Sequence, residues 1–306
     1  MPIRPLRLGE ILDHSFRLLR HQAKVLVTIT AIFVVPLNIV TGWLTRDLFG
    51  GLGLGEVLDD PTTTQTVVDG GDATGALASL ASLLTSAVVL PLIAGGVVAV
   101  VADAYLGRPT SVPDALGLIR RRGLGLIGAW FLSHLLVFTV ALLPLAAVIG
   151  MALAGVEVDS AIAVGITVIG LAMGTLVALA VAARFMVVAP ALVEERLGPW
   201  RAIRRSWRLV RGRVWSVVGV WLVSGLLASV LSTVLSGPAQ IVGLAVGMDQ
   251  WGWLLVAAGT IVAQLVVTPF TAIVATLVYF DLRIRSEGFD LALLADEVRA
   301  RSDGQP

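Results

Sequence analysis

Six stretches of this chain carry no Asp, Glu, Lys or Arg and are each long enough to cross a bilayer, which limits the fold more than any motif does. They run over 25–45, 73–102, 123–156, 160–183, 214–248 and 250–280. Crossing the hydrocarbon takes roughly 20 apolar residues. Backbone N–H and C=O groups cannot stay unpaired in lipid, so each run is expected to be a helix. The expected fold is all-α: a polytopic integral membrane protein with about six transmembrane helices. Composition agrees, because only 14% of the residues are charged, against about 25% in soluble domains.

The longer runs hold more than a bare span. Ser236-Gly237-Pro238 is expected to end a helix near Leu235, leaving 239–247 as a short apolar segment at the outer interface. Pro36, Pro91, Pro144 and Pro269 fall inside runs, where each removes a backbone donor and favours a kink. The first run has 24 residues before it and lacks a small-x-small cleavage site, so it reads as an uncleaved helix rather than a secretion signal.

Arginine placement sets the expected orientation. Of the 22 basic residues, only Arg46 lies in a loop after an odd-numbered span. The others lie before span one, between spans two and three, between spans four and five, and after span six. Basic residues in short loops stay in the cytoplasm. Both chain ends are therefore expected there, with the protein in the inner (cytoplasmic) membrane. The layout is an amphipathic N-terminal segment over 1–24, a six-helix domain over 25–282 and a tail over 283–306. The 46–75 loop, with Asp47, Glu56, Asp59, Asp60, Asp69 and Asp72, is expected to face outward. It reads as a solvated acidic linker or, alternatively, a divalent-cation site. Trp43, Trp251 and Trp253 are expected at the outer interface, and Trp200, Trp207 and Trp215 at the inner one.

Three segments share a short pattern. They are Ser15-Phe16-Arg17-Leu18-Leu19-Arg20, Ala115-Leu116-Gly117-Leu118-Ile119-Arg120 and Ser206-Trp207-Arg208-Leu209-Val210-Arg211. Each precedes an odd-numbered span. The second and third stay aligned into their spans, where Arg122 matches Arg213, Trp130 matches Trp221 and Ser133 matches Ser224. The first matches over the short motif alone. This self-similarity predicts three parallel units, each an amphipathic interfacial helix followed by a helix hairpin; chance likeness among leucine- and arginine-rich flanks is the competing reading.

In the third copy, Trp200, Ile203, Trp207 and Val210 form one helical stripe beside a row of arginines, with Pro199 at the first turn. At the N-terminus Leu8, Leu12, Phe16 and Leu19 form a similar stripe. Such helices lie in the membrane surface with their arginines among lipid phosphates. The candidate contacts to anionic lipid or phosphate are Arg17, Arg20, Arg120, Arg122, Arg204, Arg208, Arg211 and Arg213. They serve either as topology anchors or as a composite basic pocket. Glu194 and Glu195 read as ion-pair partners.

Polar groups inside spans are functional candidates by default. His134, Asn38 and Gln264 are those candidates, read either as a proton or ligand site or as interhelical hydrogen bonds. Gly170 and Gly174 have the spacing for close helix contact. Enzyme chemistry finds no foothold. The chain has no cysteine and three histidines, with no metal-ligand spacing and no phosphate-binding glycine loop; Gly50–Gly55 lacks the following lysine. No cofactor is implied, and a net charge of +1 gives no reason to expect nucleic acid.

Ala189-Pro190-Ala191-Leu192-Val193-Glu194, Leu197-Gly198-Pro199 and Arg205-Ser206-Trp207-Arg208-Leu209-Val210-Arg211-Gly212 resemble the signature of an actinobacterial family, the glycerophosphoryl diester phosphodiesterase membrane domain. Pro5–Asp13 and Tyr279–Arg285 resemble its ends. The similarity covers nearly the whole chain and implies the membrane architecture. In some relatives this region is fused to a catalytic domain. That domain's histidine and carboxylate set has no counterpart here, and 306 residues leave no room for it, so no phosphodiesterase activity is expected. The functional expectation is a non-enzymatic scaffold or regulatory subunit that contacts anionic lipids, alone or with a membrane-protein partner or a second copy. The alternative is a transporter or lipid-handling protein with a path between the repeats.

Overall fold

A computed structural model describes residues 7–46, 73–105, 111–153 and 160–287. The acidic residues from Asp47 to Asp72, Gly50–Gly55, Arg4, Arg108, Arg299, Arg301 and the tail from 288 lie outside the described residues. The elements are α1 (Leu8–His21), α2 (Ala23–Thr45), α3 (Ala73–Leu84), α4 (Leu90–Tyr105), α5 (Val112–Leu153), α6 (Ser160–Ala183), α7 (Val188–Glu194), α8 (Pro199–Val210), α9 (Val214–Val246) and α10 (Trp253–Glu287). Among the described residues there is no strand, and six helical segments are long and apolar enough to cross a membrane. This is a multi-span, all-α integral membrane protein.

Within each span most of the buried residues lie towards one end, with Ser236, Met248, Ala257 and Ala263 among the exceptions. Buried residues run over 26–34 of α2, 93–102 of α4, 115–133 of α5, 181–193 at the α6 end and α7, 217–228 of α9 and 270–284 of α10. In every case this is the end next to an arginine-bearing loop. At the other end Val40 and Trp43, Leu83 and Leu84, Leu142 and Leu143, Val168 and Ile169, Ile241 and Val242, and Trp251 are exposed. Apolar side chains in that position need hydrocarbon around them. Of the most apolar window of each span, 22%, 17% and 28% is buried in the first, third and fifth, against 44%, 44% and 50% in the second, fourth and sixth.

The three repeated segments agree in burial at three aligned positions. Ser15, Ala115 and Ser206 are all buried, as are Leu26, Leu126 and Val217, and Ile29, Ala129 and Val220. Further along the spans the first copy departs: Thr30 and Val34 are buried where the aligned Trp221 and His134 are exposed. Ser133 and Ser224 are buried alike in the other two. The copies differ at the joint. Gln22 separates α1 from α2, and Gly212, at φ +84°, separates α8 from α9. The second copy has no break, since its expected surface helix and span are the single helix α5. Its joint, Arg120-Arg121-Arg122, is made of good helix formers.

One proline reading differs from expectation. The break expected at Ser236-Gly237-Pro238 is absent, and α9 runs through it to Val246. The helix stops instead at Gly247, whose φ of +98° is left-handed and suits glycine. Close packing explains the continuity: a Cβ on Gly259 of α10 would stand 3.2 Å from the Ser236 carbonyl, so the backbones of α9 and α10 nearly touch there. Pro91 follows a π-helical turn over Thr85–Val89, in which the Leu90 N–H donates to the Thr85 carbonyl. The wider turn accommodates the donor that proline lacks.

By Cα packing the chain forms two compact units. One comprises 7–127 with 223–277, and the other 128–222 with the segment from 278. In the first, Phe16 of α1 lies against Phe270 of α10 with ring centroids 4.8 Å apart. In the same unit α9 turns into α10 through a π turn over Met248–Gly252. There a Cβ on Gly252 would stand 2.5 Å from the Gly247 carbonyl oxygen. Gly252→Ala should therefore lower stability by about 1–3 kcal/mol, the usual cost of overpacking. Gly225→Ala, in α9 with nothing within 4 Å of its added Cβ, should be neutral or stabilising by up to about 1 kcal/mol. Thermal unfolding of both variants in detergent checks this, and equal losses would contradict it.

Candidate functional site: an arginine-lined cavity on the second unit

The site belongs to the unit formed by 128–222 and the segment from 278, and is built on α8. Gly198 precedes α8 and Pro199 occupies its first turn, where a missing N–H costs nothing. Ala202, Ile203, Ser206, Leu209 and Val210 are buried, and α8 packs on α7. The expected stripe is therefore rotated. Ile203 and Val210 are buried, but Trp200 and Trp207 are exposed. The N-terminal helix shows the same offset: Ile11, Ser15 and Leu18 are buried, while Leu8 and Phe16 are exposed. Each helix carries two apolar arcs. The arc of small and aliphatic residues is buried against protein, and the aromatics of the other arc are partly exposed at its edge.

A closed ring of polar contacts holds α8 in place. The Arg205 Nε donates to Glu195 Oε1 at 2.7 Å, and its Nη2 donates to Glu287 Oε2 at 2.8 Å. Arg283 Nε donates to the same Glu287 oxygen at 3.3 Å, and Arg283 Nη1 donates to the Tyr279 hydroxyl at 3.4 Å. Tyr279 closes the ring by donating to Glu195 Oε1 at 2.9 Å. Two guanidiniums and two carboxylates cancel in charge. The hydrogen bond to Glu287 is the main reason the Arg205 guanidinium stays charged well above its ordinary range; partial burial opposes this, and Glu195 adds to it. Tyr279, Arg283 and Glu287 are spaced i, i+4, i+8 on α10 and so share one face. Beside them Arg285 donates Nε to both carboxylate oxygens of Asp281 at 2.8 and 2.9 Å.

A second set of contacts supports α8 from the end of α6. The Ser206 hydroxyl donates to the Arg184 carbonyl. The Arg184 guanidinium lies 4.5 Å from the Trp207 ring centre, and Phe185 lies 6.1 Å from it, centroid to centroid. Arg184 Nε is buried without a hydrogen-bond partner. Between α7 and α8, Arg196 takes a left-handed φ of +52°, and the Leu197 N–H donates to the Leu192 carbonyl at 3.1 Å. This caps α7 in the manner usually served by glycine.

With Arg205 consumed by the ring, the outward arginines of α8 are left over. Arg201, Arg204 and Arg208 are exposed, and no described carboxylate pairs with them. Together with Arg205, Glu195, Leu197 and Trp207 they line a cavity of about 540 Å³. Of the eight candidate arginines, Arg204 and Arg208 lie in this cavity. Arg211 and Arg213 are exposed at the turn before α9. Arg17 and Arg20 lie exposed on α1, and Arg120 exposed and Arg122 half-buried on α5.

The polar span residues are arranged otherwise. Asn38 Nδ2 donates to Gln264 Oε1 at 3.1 Å and to the Val34 carbonyl at 2.9 Å. His134 faces outward from α5; its Nδ1 lies 2.9 Å from the Trp130 carbonyl and its ring stacks on Trp130 at 3.8 Å. Among the described residues, no group of three or more histidines and carboxylates is placed to hold a metal ion. Glu195 was legible as an ion-pair partner. The ring members Arg205, Tyr279, Arg283 and Glu287 were not singled out; the i, i+4, i+8 spacing on the last span was the available signal.

A family model described as a domain of unknown function, DUF7847, matches residues 6–282. No curated protein and no solved structure matches the chain.

Arg205→Met should cost about 2 kcal/mol, between the exposed and buried limits for breaking an ion pair, because Glu195 and Glu287 lose their shared partner. Adding Glu287→Gln to that variant should restore part of the loss by removing one of the two like charges. Unfolding midpoints of the single and double variants in detergent measure the difference; a double variant weaker than the single one would show that the ring does not act as a unit.

Proposed function

We propose that this chain, which belongs to the DUF7847 family, is a non-enzymatic membrane scaffold or accessory subunit whose arginine-bearing face holds anionic lipid headgroups in the cytoplasmic leaflet. The observation that carries this reading is the separation of roles on α8. One arginine is neutralised by carboxylates and fixes the helix, while Arg201, Arg204 and Arg208 are exposed and meet no described carboxylate. Flanking them, Trp200, Trp207 and Trp215 are exposed, as suits side chains at headgroup depth. Each basic residue near an anionic leaflet adds about 1 kcal/mol of attraction.

An accessory role is also in keeping with the likeness of 189–212 to a membrane region that accompanies catalytic domains elsewhere. The transport alternative has less support, since Asn38 and Gln264 spend polar atoms on each other and His134 lies against its own helix.

Two measurements test the reading. Purification in mild detergent should retain anionic lipid above its share of the membrane, and Arg201→Gln, Arg204→Gln and Arg208→Gln together should bring retention down to that share. Bulk lipid composition with no co-purifying protein would remove the basis of the proposal. Because the chain has no cysteine, a single introduced thiol reports its own side of the membrane. Arg211→Cys should react with an impermeant maleimide only after cells are opened, and Trp251→Cys in intact cells; the reverse pattern would refute the orientation.

A further inference from the structure

The cavity on α8 has a charge and a shape that select among anionic groups. Four guanidiniums and one carboxylate line it. Arg205 and Glu195 are already bonded to each other, so the working charge belongs to Arg201, Arg204 and Arg208. Spaced i, i+3 and i+7, the three share one face of the helix. Leu197 and the Trp207 indole supply an apolar wall. Trp207 of its lining lies against Arg184 and Phe185, just past the end of α6 at Ala183, so the cavity adjoins the charged end of a span.

We infer that this cavity is a stoichiometric site for a phosphate monoester, carried by a membrane lipid. The inference rests on the proposed lipid contact and makes it specific. A monoester at neutral pH carries about −1.5 to −2 charge and three terminal oxygens, matching three guanidinium forks. A phosphodiester headgroup offers two such oxygens and one charge, and leaves a guanidinium unanswered. Arginine binds phosphate oxygens in pairs through its planar fork, which lysine cannot do. Arg205, held by Glu195 and Glu287, acts as a positioning residue that sets the rotation of α8. The apolar wall of Leu197 and Trp207 accommodates the first carbons of an acyl chain, which favours a lipid over a soluble ester.

The test is native mass spectrometry of the full chain in detergent, titrated separately with phosphatidic acid, phosphatidylglycerol and phosphatidylcholine, and with glycerol 3-phosphate as the soluble monoester. The expected result is one phosphatidic acid per chain, bound roughly tenfold more tightly than phosphatidylglycerol, a difference of about 1.4 kcal/mol. Arg201→Lys, Arg204→Lys and Arg208→Lys together keep the charge and should abolish that preference with thermal unfolding unchanged. Arg121→Gln, which removes an exposed charge of α5 outside the cavity, should leave the preference intact.

Equal binding of phosphatidic acid and phosphatidylglycerol, both above phosphatidylcholine, would overturn this inference and leave the general lipid contact standing. Equal binding of all three lipids would overturn both. Glycerol 3-phosphate binding as tightly as phosphatidic acid would overturn the lipid as source. A lysine variant that kept the preference would overturn the assignment to these guanidiniums.

Discussion

An arginine carried into hydrocarbon must shed its water, and the cost of doing so organises this protein. All but one of its basic residues are held to alternate connections, so charge and the polar contacts that charge requires collect at one end of the helices. Packing follows. Side chains at that end can be tied by hydrogen bonds and ion pairs as well as by apolar contact, and there Ile93, Val97, Leu126, Leu192, Ile273 and Leu277 are almost wholly buried. Towards the far ends many leucine, isoleucine and tryptophan side chains stay exposed, since lipid solvates such groups as well as protein does, and close packing there is left to small residues such as Gly252 and Gly259.

The ring of Glu195, Arg205, Glu287, Arg283 and Tyr279 shows how the chain uses charge where water is scarce. Taking an ion from water costs several kcal/mol unless it is paired and hydrogen-bonded. Every member here meets at least two others, across elements as distant in sequence as α8 and the end of α10. That closure frees the other arginines of α8 from structural duty. A helix whose rotation depended on all its arginines would have none to offer a ligand.

The number of spans and their helical nature were legible because lipid imposes one rule on every backbone amide. The rotation of the surface helices was not. Trp200 and Ile203 are both apolar, and hydropathy alone cannot say that one faces outward while the other is buried against protein. Burial of the small Ser206 and Ala202 would have been the better guide, since small residues let helices approach. The run of α9 through Pro238 is hidden from the sequence for a related reason. Ser-Gly-Pro is a stop signal in water, but α10 lies against α9 at Gly259 and holds the helix on course. The Arg205 ring had half a local signal, in the regular spacing on α10; Glu195 lies 84 residues from Tyr279, and no pattern in the intervening chain announces their contact.

Bilayers differ in thickness, and a rigid bundle must tilt or deform the lipid when the two do not match. Here the brace is local: the ring ties α7 and α8 to the last turns of α10, at or beyond the end of its apolar run. A span can change its tilt in lipid without breaking contacts made at its charged end. The rotation of α8, and with it the arginine face, is thereby set independently of the thickness of the bilayer.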